Sequence, residues 1–192
     1  MSIQEVNQIL GSCSEFYTQQ TRRLLNLGMD VRERAVSHLA YRTETLAEYL
    51  EIRQQLEPFC SANVENVWGG RPISKLLLQT PLPLAPDSVT RLIELIPPPH
   101  PDIYQSVYKL GLEHVGIVIG ETFADFGKAY AHLLTGQQDQ NESDPEGNTY
   151  SFRQPYFITF SDDTAVKFYQ ISLQDVCIRE GRKFDGFYHT IE

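Results

Sequence analysis

The chain repeats a set of residues at an interval of about 76 positions. His38 has a counterpart at His114, and Glu94 has one at Gln170. Each copy therefore carries a histidine early and a polar, metal-capable residue 56 positions later. An internal repeat constrains the fold strongly, because each copy forms the same kind of unit and neighbouring copies share a core. The repeat predicts two similar units and points to these polar residues as a candidate site.

Each copy is predicted to fold in the order β-α-β-β-β. In the first copy, residues 35–43 alternate apolar and polar, as a strand does. Thr45-x-x-Glu48 forms a capping box that opens a helix, which ends at about Glu57 before Pro58. Thr122-x-x-Asp125 opens the second helix in the same way. The first copy is completed by expected strands at 61–68, 72–80 and 88–96. In the second copy we expect a first strand at 112–119 and a helix that ends at Gly136. Its other three strands are expected near 150–153, 155–160 and 165–172.

We therefore expect one compact α+β domain with added terminal segments. Residues 1–29 are predicted to be an N-terminal helical extension, 30–97 the first βαβββ module, 110–180 the second, and 181–192 a tail that follows a helical turn at 172–178. A pseudo-twofold axis would relate the modules, with antiparallel pairing within each. One face of the resulting curved sheet would be a cleft, and the two helices would cover the other face.

Composition limits the partners of the chain. The formal net charge is −9, without a dense Lys/Arg cluster, which argues against nucleic acid as a partner. The three cysteines have no metal or redox spacing. No stretch approaches the ~20 apolar residues of a membrane span, and the start has no signal-peptide pattern. We expect a soluble, cytoplasmic protein, monomeric or homodimeric, that acts on a small molecule.

Strand alternation groups the candidate site residues. His38 and Arg42 share one face of the first strand, and Glu94 lies between two apolar residues of its strand, where a polar group needs a partner or an ion. If equivalent strands face one groove, four side chains converge to hold a divalent transition metal: His38, Glu94, His114 and Gln170. Either histidine alone is more often a core or surface residue, so their repetition in register carries this hypothesis.

Two arginines are candidate substrate contacts. Arg42 can clamp a substrate carboxylate or carbonyl. It can equally be a strand-end residue that reaches solvent or pairs with Glu94. Arg71 follows the hairpin glycines Gly69 and Gly70, where it can contact a substrate at the groove mouth.

Several segments together resemble a known family. Ser37–Arg42, Gly70–Ile73, Ile93–Pro97, Glu113–Val115 and Lys167–Glu180 are similar to the YecM family, within the vicinal oxygen chelate superfamily of glyoxalase I, extradiol dioxygenases and fosfomycin-resistance proteins. The resemblance implies a half-barrel sheet around a metal cavity. Enzymes of the superfamily often carry Glu at the position of Gln170, and a neutral amide is a weaker ligand and a poor proton acceptor.

Three functions remain open from the sequence. The first is an isomerase- or oxygenase-like enzyme in which Zn, Ni, Mn or Fe binds two adjacent oxygens of a small substrate, with Glu94 as the catalytic carboxylate. The second is a non-catalytic module of the same fold that binds or sequesters a small molecule. The third is an adaptor that leaves the groove empty and uses its N-terminal helices.

Overall fold

The computed structural model of the chain describes residues 3–98, 109–137 and 154–191. Within them lie five α-helices: α1 Ile3–Leu10, α2 Cys13–Asn26, α3 Leu46–Leu56, α4 Phe123–Ala129 and α5 Leu173–Arg179. The same residues form nine strands: β1 Val36–Arg42, β2 Cys60–Trp68, β3 Arg71–Ala85, β4 Ser88–Ile96, β5 Gly111–Val118, β6 Gly136–Gln137, β7 Tyr156–Thr159, β8 Ala165–Tyr169 and β9 Phe187–Tyr188. The strand predicted near 150–153 lies outside the described residues.

All nine strands belong to one curved, open sheet in the order β6-β7-β8-β5-β1-β4-β3-β2-β9. The antiparallel β1–β5 pair lies where the two units meet, and the strand order on either side of it is the same. In each unit, the first strand lies beside the fourth, the fourth beside the third and the third beside the second. This is the predicted α+β arrangement of paired βαβββ units in one curved sheet. A common sequence origin of the two units stays a hypothesis.

Pairing within each unit differs from the prediction, which was antiparallel throughout. β1 runs parallel to β4, and β5 runs parallel to β8. The helix after each first strand acts as a crossover that starts the second strand in the same direction. Two antiparallel hairpins then return the fourth strand to that direction, so it lies parallel to the first.

The two helix starts are not equivalent. At α3 the capping box is formed, because Thr45 Oγ1 accepts a hydrogen bond from Glu48 N at 3.0 Å while the Glu48 carboxylate accepts one from Glu44 N at 2.6 Å. At α4 the helix starts where it was predicted, directly after Thr122, but the predicted capping box is not formed. A 3₁₀ turn over Gly120–Thr122 leads into this helix, and Thr122 makes no capping bond. Nor does Gly136 end α4, since it lies in β6.

The helices α1 to α4 cover one face of the sheet. Strand residues on that face are fully buried, as Leu39, Ile93, Leu95, Val115 and Ile117 show, each at 0% exposure. They pack with side chains of the N-terminal helices in one continuous core. Since strand side chains alternate between faces, the residues next to them in sequence, including His38, Glu94 and His114, project from the other face. No helix in the described ranges is long and apolar enough to span a bilayer.

The segment predicted as a tail is part of the sheet. β9 pairs in parallel with β2 and becomes its edge strand. Beyond β9, the buried carboxylate of Glu65 on β2 accepts hydrogen bonds from Thr190 N at 2.7 Å, Thr190 Oγ1 at 2.6 Å and Ile191 N at 3.1 Å. A buried carboxylate requires such partners, and here the C-terminal residues supply them.

Candidate metal centre

Three neighbouring strands bring a polar triad together on the face opposite the helices. His38 lies on β1, Glu94 on β4 and His114 on β5. Ala40 of β1 pairs with Glu94 on one side and with His114 on the other. Because the alanine side chain is small, the carboxylate and the imidazole can approach each other above it.

The ring of His38 lies over Gly116 on β5. The two residues are cross-strand partners. A Cβ atom added to Gly116 would lie 2.5 Å from His38 Cε1 and 2.6 Å from His38 Nδ1. Any larger residue would therefore displace the imidazole, and the glycine lets it reach His114.

The three candidate ligand atoms form a small triangle. His38 Nε2 and His114 Nε2 are 3.1 Å apart, and Glu94 Oε2 lies 3.6 Å from the first and 3.4 Å from the second. The centre of such a triangle is about 2.0 Å from each corner, close to the ~2.0–2.1 Å of a zinc–nitrogen bond. Both imidazoles are 0% exposed, and the Glu94 side chain is 13% exposed. The donor types and spacing fit a divalent transition metal.

Each imidazole is oriented through its other nitrogen. His38 Nδ1 lies 2.9 Å from Ser37 Oγ, which also accepts a hydrogen bond from Leu173 N at 2.8 Å. His114 Nδ1 contacts the carboxylate of Glu113. A proton on Nδ1 leaves the Nε2 lone pair pointing at the centre of the triangle, as in metal sites where a carboxylate or hydroxyl supports the histidine.

Ser37 and Glu113 were not identified as site residues from the sequence. The available signal was that each directly precedes one of the two repeated histidines.

The protonation states suit ligation. Burial lowers the pKa of the His38 imidazole to about 3, and the Glu94 carboxylate offsets this only in part. Burial alone would raise the pKa of Glu94, but the contact with His114 and nearby positive charge hold it well below its ordinary value. The pKa of Glu113 is likewise lowered despite burial, by His114 and Arg42. Near neutral pH the triad thus contains a neutral His38 and an ionised Glu94, the forms that bind metals.

Gln170 is not among the residues that line the cavity beside the triad. It follows Tyr169, the last residue of β8, and its carbonyl accepts a hydrogen bond from Gly120 N at 3.1 Å. Ala165, Lys167 and Tyr169 are the β8 residues that line the cavity beside the triad. The Tyr169 ring lies edge-on to His38, with centroids 5.2 Å apart. By alternation, Gln170 falls on the face of the buried Phe168.

Glu94 of the triad lines a cavity of about 360 Å³, and both predicted arginines line it too. The Nε atom of Arg42 lies 3.3 Å from the Glu113 carboxylate, so Arg42 pairs with Glu113. The guanidinium of Arg71 donates to the carbonyl of Pro97 at 3.0 Å. The two side chains therefore have protein partners and also face the space that a ligand would occupy.

Comparison with known proteins places this geometry in context. The sequence model of the YecM protein family matches residues 5–180. A solved structure described as "Structural Genomics, Protein EC4020" is 21% identical, over 94% of this chain and 97% of that one, with a TM-score of 0.69. That match shows a shared fold. No protein of curated function matches significantly.

Two fosfomycin resistance proteins also match, with low structural similarity. FosX from Listeria monocytogenes, described as complexed with Mn(II) and sulfate ion, is 10% identical over 74% of this chain and 94% of that one, with a TM-score of 0.27. FosX from Mesorhizobium loti is 12% identical over 76% of this chain and 96% of that one, with a TM-score of 0.26.

Proposed function

The chain belongs to the YecM family, and from that premise we propose that it binds one divalent metal ion through His38, Glu94 and His114. The ion would be presented in the cavity to a small substrate that carries two adjacent oxygen atoms. The reaction class that suits such a site is isomerase- or oxygenase-like.

The spacing of the three ligand atoms is the observation that carries this proposal. Two imidazole nitrogens and a carboxylate oxygen lie 3.1 to 3.6 Å from one another and so surround one central point. When both Nδ1 atoms hold their protons, all three groups direct lone pairs at that point. Three buried acceptors facing one another are unfavourable without a donor or a cation between them. A metal ion satisfies all three at once.

The ligand set limits the choice of ion and leaves room for a substrate. Two imidazoles and one carboxylate suit Zn, Ni, Mn or Fe, and open positions remain for two substrate oxygens. A bound ion would act as a Lewis acid that polarises those oxygens. Arg42 and Arg71 are the proposed substrate contacts, and the aromatic side chains of Trp68 and Tyr169 contribute to the wall that surrounds the substrate.

A non-catalytic binding module is the second candidate, and the state of the carboxylates favours it. The Glu94 carboxylate contacts His114 within the triad, and the Glu113 carboxylate contacts both His114 and Arg42. Within the described part of the cavity, neither of these two is free to move a substrate proton. If Glu94 stays a ligand throughout, the site would sequester a chelating molecule without turning it over.

Metal-dependent stability tests the proposal. Elemental analysis of protein purified without a metal-chelating tag should find about one ion per chain. Free metal at a hundred times its dissociation constant should raise the free energy of unfolding by roughly 2.7 kcal/mol. His38→Ala and His114→Ala should abolish this response while the metal-free variants stay folded. Thermal melts with chelator and with Zn²⁺, Ni²⁺ or Mn²⁺ measure it.

His132→Ala is the matched control, because this histidine is exposed and lies beyond the end of α4. It should respond to metal as the unaltered chain does. Equal responses in all three variants would show that His38 and His114 are not ligands.

A further inference from the structure

Lys167 of the second unit occupies the position in the sheet that is equivalent to Glu94 of the first unit. Two residues after His38, Ala40 pairs across the parallel strands with Glu94. Two residues after His114, Gly116 pairs in the same way with Lys167. In the second unit, an ammonium group therefore stands where the first unit has its metal-capable carboxylate.

A second lysine stands on the other side of Glu94. Lys75 of β3 is the cross-strand partner of Glu94 and is 5% exposed. Its ammonium donates to the side-chain oxygen of Asn66 and, at 3.2 Å, to the carbonyl of Ile73, both of which are neutral acceptors. A buried ammonium without a carboxylate partner is unusual, because burial of a charge is costly unless it is paired.

Two hydrogen-bond donors in the same cavity wall lack acceptors among the described residues. Lys167 pairs with its neighbouring strands through its backbone, but its side-chain ammonium makes no hydrogen bond or ion pair with another residue that the structure describes. The indole Nε1 of Trp68 is buried, and within the described ranges it too has no hydrogen-bond partner. Both side chains line the cavity. A buried donor such as this indole N–H is nearly always satisfied in a folded protein. Together with the half-buried ammonium of Lys167, it indicates an acceptor-rich ligand.

The charge of the cavity is opposite to that of the whole chain. Among its described lining residues, four are cationic and three are anionic: Arg42, Arg71, Lys75 and Lys167 against Glu94, Glu113 and Glu180. The chain as a whole carries a formal charge of −9. A divalent ion held by one carboxylate and two neutral imidazoles would make this region still more positive. An anion that bridges the ion and the lysines would restore the balance.

We propose that the ligand of this site is a small acid that chelates the metal through two adjacent oxygens and whose negative charge is held by Lys167 and Lys75. The inference rests on the proposed metal site and adds the chemical class of the ligand. Carboxylic and phosphonic acids share this chemistry, since both present anionic oxygens to ammonium groups.

Isothermal titration of ligands into the Mn²⁺-loaded chain of 192 residues tests the inference. Oxalate is the anionic probe, oxamide its neutral analogue of the same shape, and phosphonoformate the phosphonate probe. Lys167→Met and Lys75→Met remove each charge at similar length. Lys128→Met is the control, because Lys128 is 79% exposed and pairs with Asp125. Each cavity variant should weaken oxalate binding about tenfold, the worth of one charge-assisted hydrogen bond. Oxamide binding should not change.

The outcomes separate the two proposals. If the unaltered chain binds no Mn²⁺, the proposed function fails and this inference fails with it. If Mn²⁺ binds but oxalate affinity is equal in Lys167→Met and Lys128→Met, or neither acid binds, the inference alone is overturned. Lys167→Met decides by itself if Lys75→Met does not fold. Whichever of oxalate and phosphonoformate binds with the higher affinity identifies the acid group that the cavity prefers.

Discussion

At the scale of single residues, two small side chains allow the histidines to meet. Ala40 separates Glu94 from His114 across the strands, and Gly116 lies under the ring of His38. A strand glycine normally weakens a sheet, since it packs no side chain. At position 116 the missing Cβ is the space that the imidazole occupies.

Gly116→Ala should therefore weaken metal binding without unfolding the protein. The new methyl group would lie 2.5 Å from His38 Cε1, so the imidazole must leave the triangle. Loss of one of three ligands should cost at least tenfold in metal affinity, measured by competition with a chromogenic chelator. Gly186→Ala is the control, because its nearest neighbour would be 3.6 Å from the new Cβ.

A double variant shows whether the effect passes through His38. If it does, Gly116→Ala should not change metal affinity further in a His38→Ala background, because coupled substitutions are not additive. Additive losses would mean that the glycine acts on the fold rather than on the imidazole.

The sequence could predict part of the candidate site, for a reason that concerns register. Strand alternation and a constant interval are enough to bring His38, Glu94 and His114 to one face. The 76-residue interval predicts that Gln170 is the counterpart of Glu94 in the second unit. In the sheet, the residue at the position equivalent to Glu94 is Lys167, which follows it by 73 residues rather than 76. An odd offset turns every side chain of a strand to the opposite face. Lys167 therefore faces the cavity, and nothing in the sequence pattern reveals the three-residue difference.

At the scale of elements, a buried carboxylate joins three parts of the chain. Glu65 on β2 accepts hydrogen bonds from Tyr49 of α3 at 2.6 Å, from Arg53 of α3 at 2.7 Å and from Thr190 near the C-terminus. Arg53 also donates to the carbonyl of Ile191 at 2.9 Å. The cluster holds the helix, the strand and the C-terminal segment together. It could not be predicted locally, because its hydrogen-bonded members are up to 138 residues apart.

Glu65 should make stability depend on pH in the acid range. Burial alone would raise the pKa of Glu65, but hydrogen bonds from Thr190, Tyr49 and Arg53 lower it from 4.5 to about 2. Since the folded-state pKa is the lower one, the contribution is complete above pH ~4.5 and is lost as pH falls towards ~2. Glu65→Gln should cost about 3 kcal/mol at neutral pH and progressively less below pH ~4.5.

Urea unfolding of both proteins between pH 2 and 7 measures this difference. Glu51→Gln, at an exposed position of α3, is the control and should give a nearly constant difference. A penalty for Glu65→Gln that stays the same from pH 7 to pH 2 would contradict the ionised, hydrogen-bonded state of this carboxylate.

At the scale of the whole molecule, the triad crosses the line where the two units meet. β1 and β4, which carry His38 and Glu94, belong to the first unit, and β5, which carries His114, belongs to the second. Neither unit contains all three side chains. A bound ion would therefore act as a cross-link over the antiparallel β1–β5 pair.

Hydrogen exchange should reveal this cross-link. Metal at a hundred times its dissociation constant should slow exchange of the most protected amides of β1, β4 and β5 by about a hundredfold, because it stabilises the folded state against global opening. The protection should be similar on both sides of the β1–β5 pair and small in α1. Protection confined to the first unit would show that the ion is held without His114.

The near-symmetric sheet also has a direction, which follows from Lys167 standing where a second Glu94 would be. Two carboxylates would make the ends of the cleft equivalent, so a ligand could enter in either of two orientations. With a carboxylate on one side of the axis and an ammonium on the other, the electric field across the triad points in one direction. A ligand with unlike ends then has one preferred alignment, and its two faces are no longer interchangeable. A single difference in charge between the two units would thus allow a nearly twofold-symmetric cleft to distinguish two opposite orientations of a ligand.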